Sequence, residues 1–124
     1  MVVRQFGSWD ELAQDGWFEA GLADADFNVV EEDGEPIGAV GLKDSPGHVF
    51  LVELQILPHY QGRGFGSALL QDQLARAKRL HKIVTLRVLR ENRARSLYLR
   101  HGFVVTAQTD THFLMEWRPD GLSA

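Results

Sequence analysis

The run Leu54-Gln55-Ile56-Leu57-Pro58-His59-Tyr60-Gln61-Gly62-Arg63-Gly64-Phe65-Gly66-Ser67 holds the residue types best suited to chemistry, and the chemistry they suit is anion binding. Apolar residues stop at Pro58, glycine takes positions 62, 64 and 66, and a helical apolar pattern begins near Gly64. A strand that turns through glycine into a helix aims orphan backbone N–H groups, and the positive end of the helix dipole, at whatever sits on the turn. Glycine lacks a Cβ, so a phosphate can approach the main chain closely. Two common phosphate motifs do not fit. A P-loop needs Gly-Lys-Ser/Thr at the end of its turn, and none follows. A dinucleotide fingerprint needs Gly-x-Gly-x-x-Gly and an acid closing the next strand; here the spacing is Gly-x-Gly-x-Gly, and the strand Ile83–Val88 runs into Leu89-Arg90. Glycine used only for tight packing is the plainer alternative, and three glycines in five positions weigh against it.

The elements around this turn follow from periodicity. Residues 1–27 read as helical, with Trp9, Leu12, Ala13, Trp17, Phe18 and Leu22 near one face of a helix over residues 8–23. Phe27–Val30 and Pro36–Leu42 read as two strands joined by the turn Glu32-Asp33-Gly34-Glu35, a hairpin signal. Asp44–Gly47 is a second turn, and Val49–Leu57 a third strand whose polar members, Glu53 and Gln55, share a face. A helix runs from Gly64 or Ser67 to Leu80, with Leu70, Leu74, Ala77 and His81 as its stripe. Ile83–Leu89 is a strand, which makes a right-handed strand–helix–strand crossover. Asn92–His101 is a short helix stopped at Gly102, and Phe103–Ala107 with His112–Trp117 forms a closing hairpin.

A chain of 124 residues reads as one domain spanning 1–124. It has no cysteine, so disulfides and thiolate nucleophiles are excluded. With no leader-like N-terminus and no long apolar run, a cytoplasmic protein without membrane contact is the expectation. Charge is lopsided: residues 1–60 carry twelve acids against Arg4 and Lys43, and residues 61–101 carry ten bases against Asp72 and Glu91. Most of these are solvated faces; the sharper reading sets the basic stretch against an anionic ligand and the acidic one against a cation. A net charge of −4 makes nucleic acid a poor partner. His48, His81, His101 and His112 lack metal-like spacing with carboxylates, so no metal is expected.

Gln61-Gly62-Arg63-Gly64-Phe65-Gly66 resembles the pyrophosphate-binding turn of GNAT-family N-acetyltransferases, Gln/Arg-x-x-Gly-x-Gly/Ala. Asn92-Arg93-Ala94-Arg95-Ser96-Leu97-Tyr98-Leu99-Arg100-His101-Gly102-Phe103 resembles the family's Asn…Ala…Leu-Tyr…Gly-Phe segment. The likeness covers residues 28–117, and Thr109–Met115 resembles a subset of small bacterial members. It implies an α/β GNAT fold: a mixed central sheet, antiparallel at the front, with a parallel pair splayed at the cofactor cleft and helices on its flanks. The front strand is reduced or missing, since at most Val2-Val3-Arg4 remains.

The resemblance also implies roles. Acetyl-coenzyme A would be the donor, its pyrophosphate on the amides of Gln61, Gly62, Arg63, Gly64, Phe65, Gly66 and Ser67, with Arg63 adding a charge-assisted bond. Leu54, Gln55 and Ile56 match the strand residues that hydrogen-bond the pantetheine arm by main chain, where an amide would also steady the tetrahedral oxyanion. Tyr98 matches the general acid for the leaving thiolate, and a phenol's ordinary pKa lies only about 1.5 pH units above a thiol's. Asn92 matches a cofactor-contacting residue or is a helix N-cap. Glu53 is the candidate base for the attacking amine, with His59 or water as alternatives and a salt bridge to Arg87 as the structural reading. The expected activity is acetyl transfer to a primary amine of a small molecule or peptide by direct attack, and the acidic stretch would suit a cationic amine. The rivals are a non-catalytic acyl-coenzyme A-binding regulatory module and a generic nucleotide-binding α/β domain. Family members commonly form homodimers, and an open sheet edge would allow one here.

Overall fold

The computed structural model describes residues 2–5 and 26–119. The strands are β1 (Val2–Gln5), β2 (Asp26–Glu32), β3 (Glu35–Ser45), β4 (His48–Ile56), β5 (Ile83–Leu89), β6 (Val104–Gln108) and β7 (His112–Trp117); the helices are α1 (Phe65–Arg79) and α2 (Ala94–Arg100). Their strand order is β1-β2-β3-β4-β5-β7-β6. The chain divides into two compact units, Met1–Lys43 with Val52–Gly66 and Asp44–Leu51 with Ser67–Ala124. The helix expected over residues 8–23 lies outside the described residues. No helix among the described residues is long and apolar enough to cross a membrane.

In the first unit β1 pairs antiparallel with β2, from Val2↔Glu31 to Gln5↔Asn28. The front strand is therefore present over Val2–Gln5, and residues 2–5 and 26–27 are strand rather than the helix expected across 1–27. Asp33 and Gly34 close the β2–β3 hairpin with φ of 52° and 81°. Positive φ at both central positions gives the turn a twist that matches its strands, which is why Asp-Gly marks it. Phe27, Val29 and Val30 on β2 and Ile37, Ala39, Val40 and Leu42 on β3 are buried. Leu57 N–H donates to the Ile37 carbonyl at 2.7 Å. Beside that bond, a Cβ on Gly38 would overlap the Gln55 carbonyl oxygen, so the close approach of β3 to β4 requires glycine there.

In the second unit a parallel ladder joins His48–Leu51 to Ile83–Leu86, β7 pairs antiparallel with β5, and β6 lies outside β7. α1 buries Leu69, Leu70, Leu74 and Ala77, and each buried leucine contributes about 1.5–3 kcal/mol. His81 does not continue the apolar stripe as expected. It sits exposed just past the helix with φ 55°, while Lys82 N–H reaches the Ala77 carbonyl at 2.9 Å and His81 N–H the Lys78 carbonyl at 3.2 Å. These are the bonds of a Schellman cap, with histidine in the left-handed position that glycine usually takes. Asp44 bridges Arg76 at 2.6 Å and Lys82 at 3.0 Å. Two further boundaries shift. β3 runs on through Asp44 and Ser45 because Pro46-Gly47 alone makes the turn, and α2 starts at Ala94 rather than Asn92.

Candidate active site

In the first unit the main chain leaves β4 at Ile56, passes through a 3-10 turn at Pro58–Tyr60, and reaches α1 through Gly62 and Gly64, whose φ values are 80° and 85°. Both values lie where an L-residue clashes with its own backbone, so glycine is required at each. A Cβ built on either meets nothing within 4 Å, so the space over the turn is open to a ligand. The first turn of α1 carries no acid, and its last turn carries Arg76, Lys78 and Arg79, the charge placement that favours an anion at the N-terminal end.

Side chains brace this turn. Gln61 Nε2 donates to the Ile56 carbonyl at 2.9 Å, tying the turn to the end of β4. The Tyr60 hydroxyl donates to Glu35 Oε2 at 2.6 Å, and that bond holds the phenol above its ordinary pKa of 10.0. The Arg63 guanidinium lies 5.4 Å from the centroid of the Tyr60 ring, with Phe65 and His59 edge-on to the same ring at 6.3 and 5.3 Å. Arg63 is thus held against an aromatic face while its N–H donors stay available for phosphate. On β4, Glu53, Leu54 and Gln55 are half-buried and Ile56 is buried. Among the described residues, the buried Gln55 Oε1 has no hydrogen-bond partner.

In the second unit Ser67 Oγ lies 2.8 Å from His101 Nε2, which links the start of α1 to the residue after α2. Asn92 Oδ1 accepts the Ala94 N–H at 2.8 Å from one residue ahead of the Arg93 N-cap position of α2, and the side chain keeps its amide N–H groups for other use. Tyr98 is 6% exposed, and its ring packs edge-on to Phe103 at 5.5 Å. A cavity of about 720 Å³ opens where the end of β5 and the start of α2 meet the β6–β7 turn. Among the described residues, no three histidine, aspartate or glutamate side chains converge as metal ligands would.

The first unit therefore carries Glu53, Leu54, Gln55, Ile56, His59 and the turn Gln61–Gly66; the second carries Ser67, Asn92 and Tyr98. Two features of these surroundings escape a reading of the sequence. Tyr60, which steadies Arg63, is signalled only by an aromatic next to a Gly-rich turn. Phe113 and the arginines against it come together through the pairing of β5 with β7, which no local pattern reports.

A family model for the acetyltransferase (GNAT) domain matches residues 23–105. No curated protein matches the chain. Among solved structures, PaiA N-acetyltransferase from Thermoplasma acidophilum, in complex with coenzyme A, is 25% identical with a TM-score of 0.67, over 88% of this chain and 67% of that one. A GNAT acetyltransferase from Elizabethkingia anophelis with acetyl-CoA bound is 14% identical with a TM-score of 0.73, over 94% and 97% of the two chains. Arabidopsis thaliana Naa50 in complex with the bisubstrate analogue CoA-Ac-MVNAL is 19% identical with a TM-score of 0.72, over 94% and 99%. The Gly-rich turn, the mixed sheet order and a family match across two thirds of its length agree: the chain belongs to the GNAT acetyltransferase family.

Proposed function

We propose that this protein transfers the acetyl group of acetyl-coenzyme A to a primary amine of a small molecule or peptide by direct attack, as one domain. The open turn at Gly62 and Gly64, leading into a helix with no acid in its first turn, carries the reading. Amides of Gln61–Ser67 and the braced Arg63 hold the pyrophosphate, and the main chain of Leu54–Ile56 pairs with the pantetheine arm. A β4 amide polarises the thioester carbonyl and takes up charge on the tetrahedral oxyanion. Glu53, or water it orders, accepts the proton that the amine loses as its nitrogen bonds to the acetyl carbon; His59 is the other base within this segment. When the carbon–sulfur bond breaks, Tyr98 protonates the thiolate. Asn92 has amide N–H groups left to donate to the cofactor.

Thermal unfolding with acetyl-coenzyme A, coenzyme A and ATP tests donor binding. A ligand at about 100 times its Kd adds about 2.7 kcal/mol, several degrees for a domain this size. A rise with acetyl-coenzyme A and none with ATP is expected, followed by free-thiol release with some member of an amine panel. No rise with acetyl-coenzyme A overturns donor binding. A rise without thiol release for any amine favours a non-catalytic acyl-coenzyme A-binding module.

A further inference from the structure

We propose that the cavity at the end of β5 seats the carboxylate of the acceptor, so that the amine acetylated belongs to an amino-acid-like zwitterion. This rests on the acetyl-transfer reading above and adds the acceptor's class. The cavity is lined by Arg90, Glu91, Asn92, Arg95, Asp110 and Phe113, among others, and its volume of about 720 Å³ is in the range of small-molecule sites. The Arg90 and Arg95 guanidinium carbons lie 5.2 and 4.9 Å from the centroid of the Phe113 ring.

A cation–π contact holds a guanidinium without using any of its five N–H donors. Arg90 gives one donor to the Thr109 carbonyl at 3.4 Å. Although Glu91 and Asp110 line the same cavity, among the described residues neither arginine forms an ion pair with a carboxylate. Two planar forks beside an aromatic ring match a planar carboxylate. The β6–β7 turn beside the cavity is fixed in advance: Thr109 Oγ1 accepts the N–H groups of Thr111 and His112 at 3.3 and 3.0 Å, and Arg90 N–H donates to the Thr111 carbonyl at 2.9 Å.

Charge balance selects the ligand. Two arginines and two acids make the lining neutral, which favours a ligand carrying one anion and one cation over a multiply charged phosphate. The acids then face an ammonium group and the arginines a carboxylate. Arg95 and Tyr98 are three residues apart on α2, hence neighbours on its surface, which puts the carboxylate seat beside the proposed acid.

The test is acetyl transfer to L-amino acids paired with their carboxamides, using the full chain and acetyl-coenzyme A. Free acids are expected to exceed amides at least tenfold in kcat/KM, and Arg95→Met and Arg90→Met should each bring that ratio close to one. Equal rates for acids and amides overturn the proposal, as does a preference that survives in both variants. Thermal midpoints identify a variant that has not folded. If acetyl-coenzyme A binds and no amine is acetylated, the acetyl-transfer reading fails by itself. L-methionine and L-methioninamide titrated into 15N-labelled protein then decide the seat: shifts at Arg95 and Phe113 with the acid alone support it, and their absence overturns it.

Discussion

Tyr98 carries the proposed acid chemistry on a ring that is also core, edge-on to Phe103 and 6% exposed. Removing only its hydroxyl separates the two jobs. Tyr98→Phe keeps the packing and should leave the thermal midpoint within a few degrees, while kcat falls about 100-fold or more if the phenol protonates the leaving thiolate. An unchanged kcat would reduce Tyr98 to a packing residue. Asp44 is the contrasting case, a residue whose charge serves stability. Burial pushes its carboxyl pKa up, but the hydrogen bonds and charges of Arg76 and Lys82 outweigh burial and hold it below the ordinary 3.8. A depressed carboxylate stabilises the fold above the unfolded-state pKa of about 3.9 and loses that contribution as pH falls through the folded value. The group is partly exposed, so the contribution is about 1 kcal/mol or less. Urea unfolding at pH 7 should show Asp44→Asn less stable than the parent, with the gap closing towards pH 3. A gap equal at both pH values would mean the ion pairs are not its source.

Elements were legible wherever a local rule decides them. Asp33-Gly34 marks a hairpin turn, the glycines from 62 to 66 mark a turn into a helix, and Leu70, Leu74 and Ala77 show helical spacing; all three survive in the structure. Boundaries moved where side chains do the work of backbone. Asn92 has the type of a helix residue or a cap, yet it lies one residue ahead of the Arg93 cap position with its oxygen on Ala94 N–H, so α2 starts two residues later than expected. His81 fits the apolar stripe by number, yet it supplies the left-handed turn that ends the pattern. The β3–β4 approach was not legible at all, because Gly38 looks like any strand glycine until Gln55 lies against it. Gly38→Ala tests that packing. The overlapping atom is a backbone oxygen that cannot rotate away, so the cost should reach the upper part of the usual 1–3 kcal/mol for overpacking, or exceed it. A change below about 0.5 kcal/mol in urea unfolding would show that the strands part easily.

At the scale of the whole molecule, the turn was legible because its residues are contiguous, while the cavity was not, because residues 90 and 113 meet only through strand pairing. Charge in the sequence lies between these cases. Ten bases between Arg63 and Arg100 suggested an anionic ligand, and the structure assigns them differing tasks. Arg76 and Lys82 hold Asp44, Arg90 and Arg95 lie against Phe113, and Arg63 lies over Tyr60 beside the open turn. Half of the ten thus lie against named partners, and of these Arg63 is the one that borders the open turn. In the proposed reaction the main-chain amides of the turn would contact the pyrophosphate directly and be little screened by salt, whereas the field of exposed bases is screened within about 10 Å at 0.1 M salt and about 3 Å at 1 M. Titrating acetyl-coenzyme A between 0.05 and 0.5 M sodium chloride weighs the two. A Kd that rises about tenfold means that the exposed bases, Arg63 foremost, supply much of the attraction, and Arg63→Met should then flatten the salt dependence. A Kd that barely moves means that the glycine turn binds the donor by geometry, and that the basic stretch serves the fold and the acceptor instead.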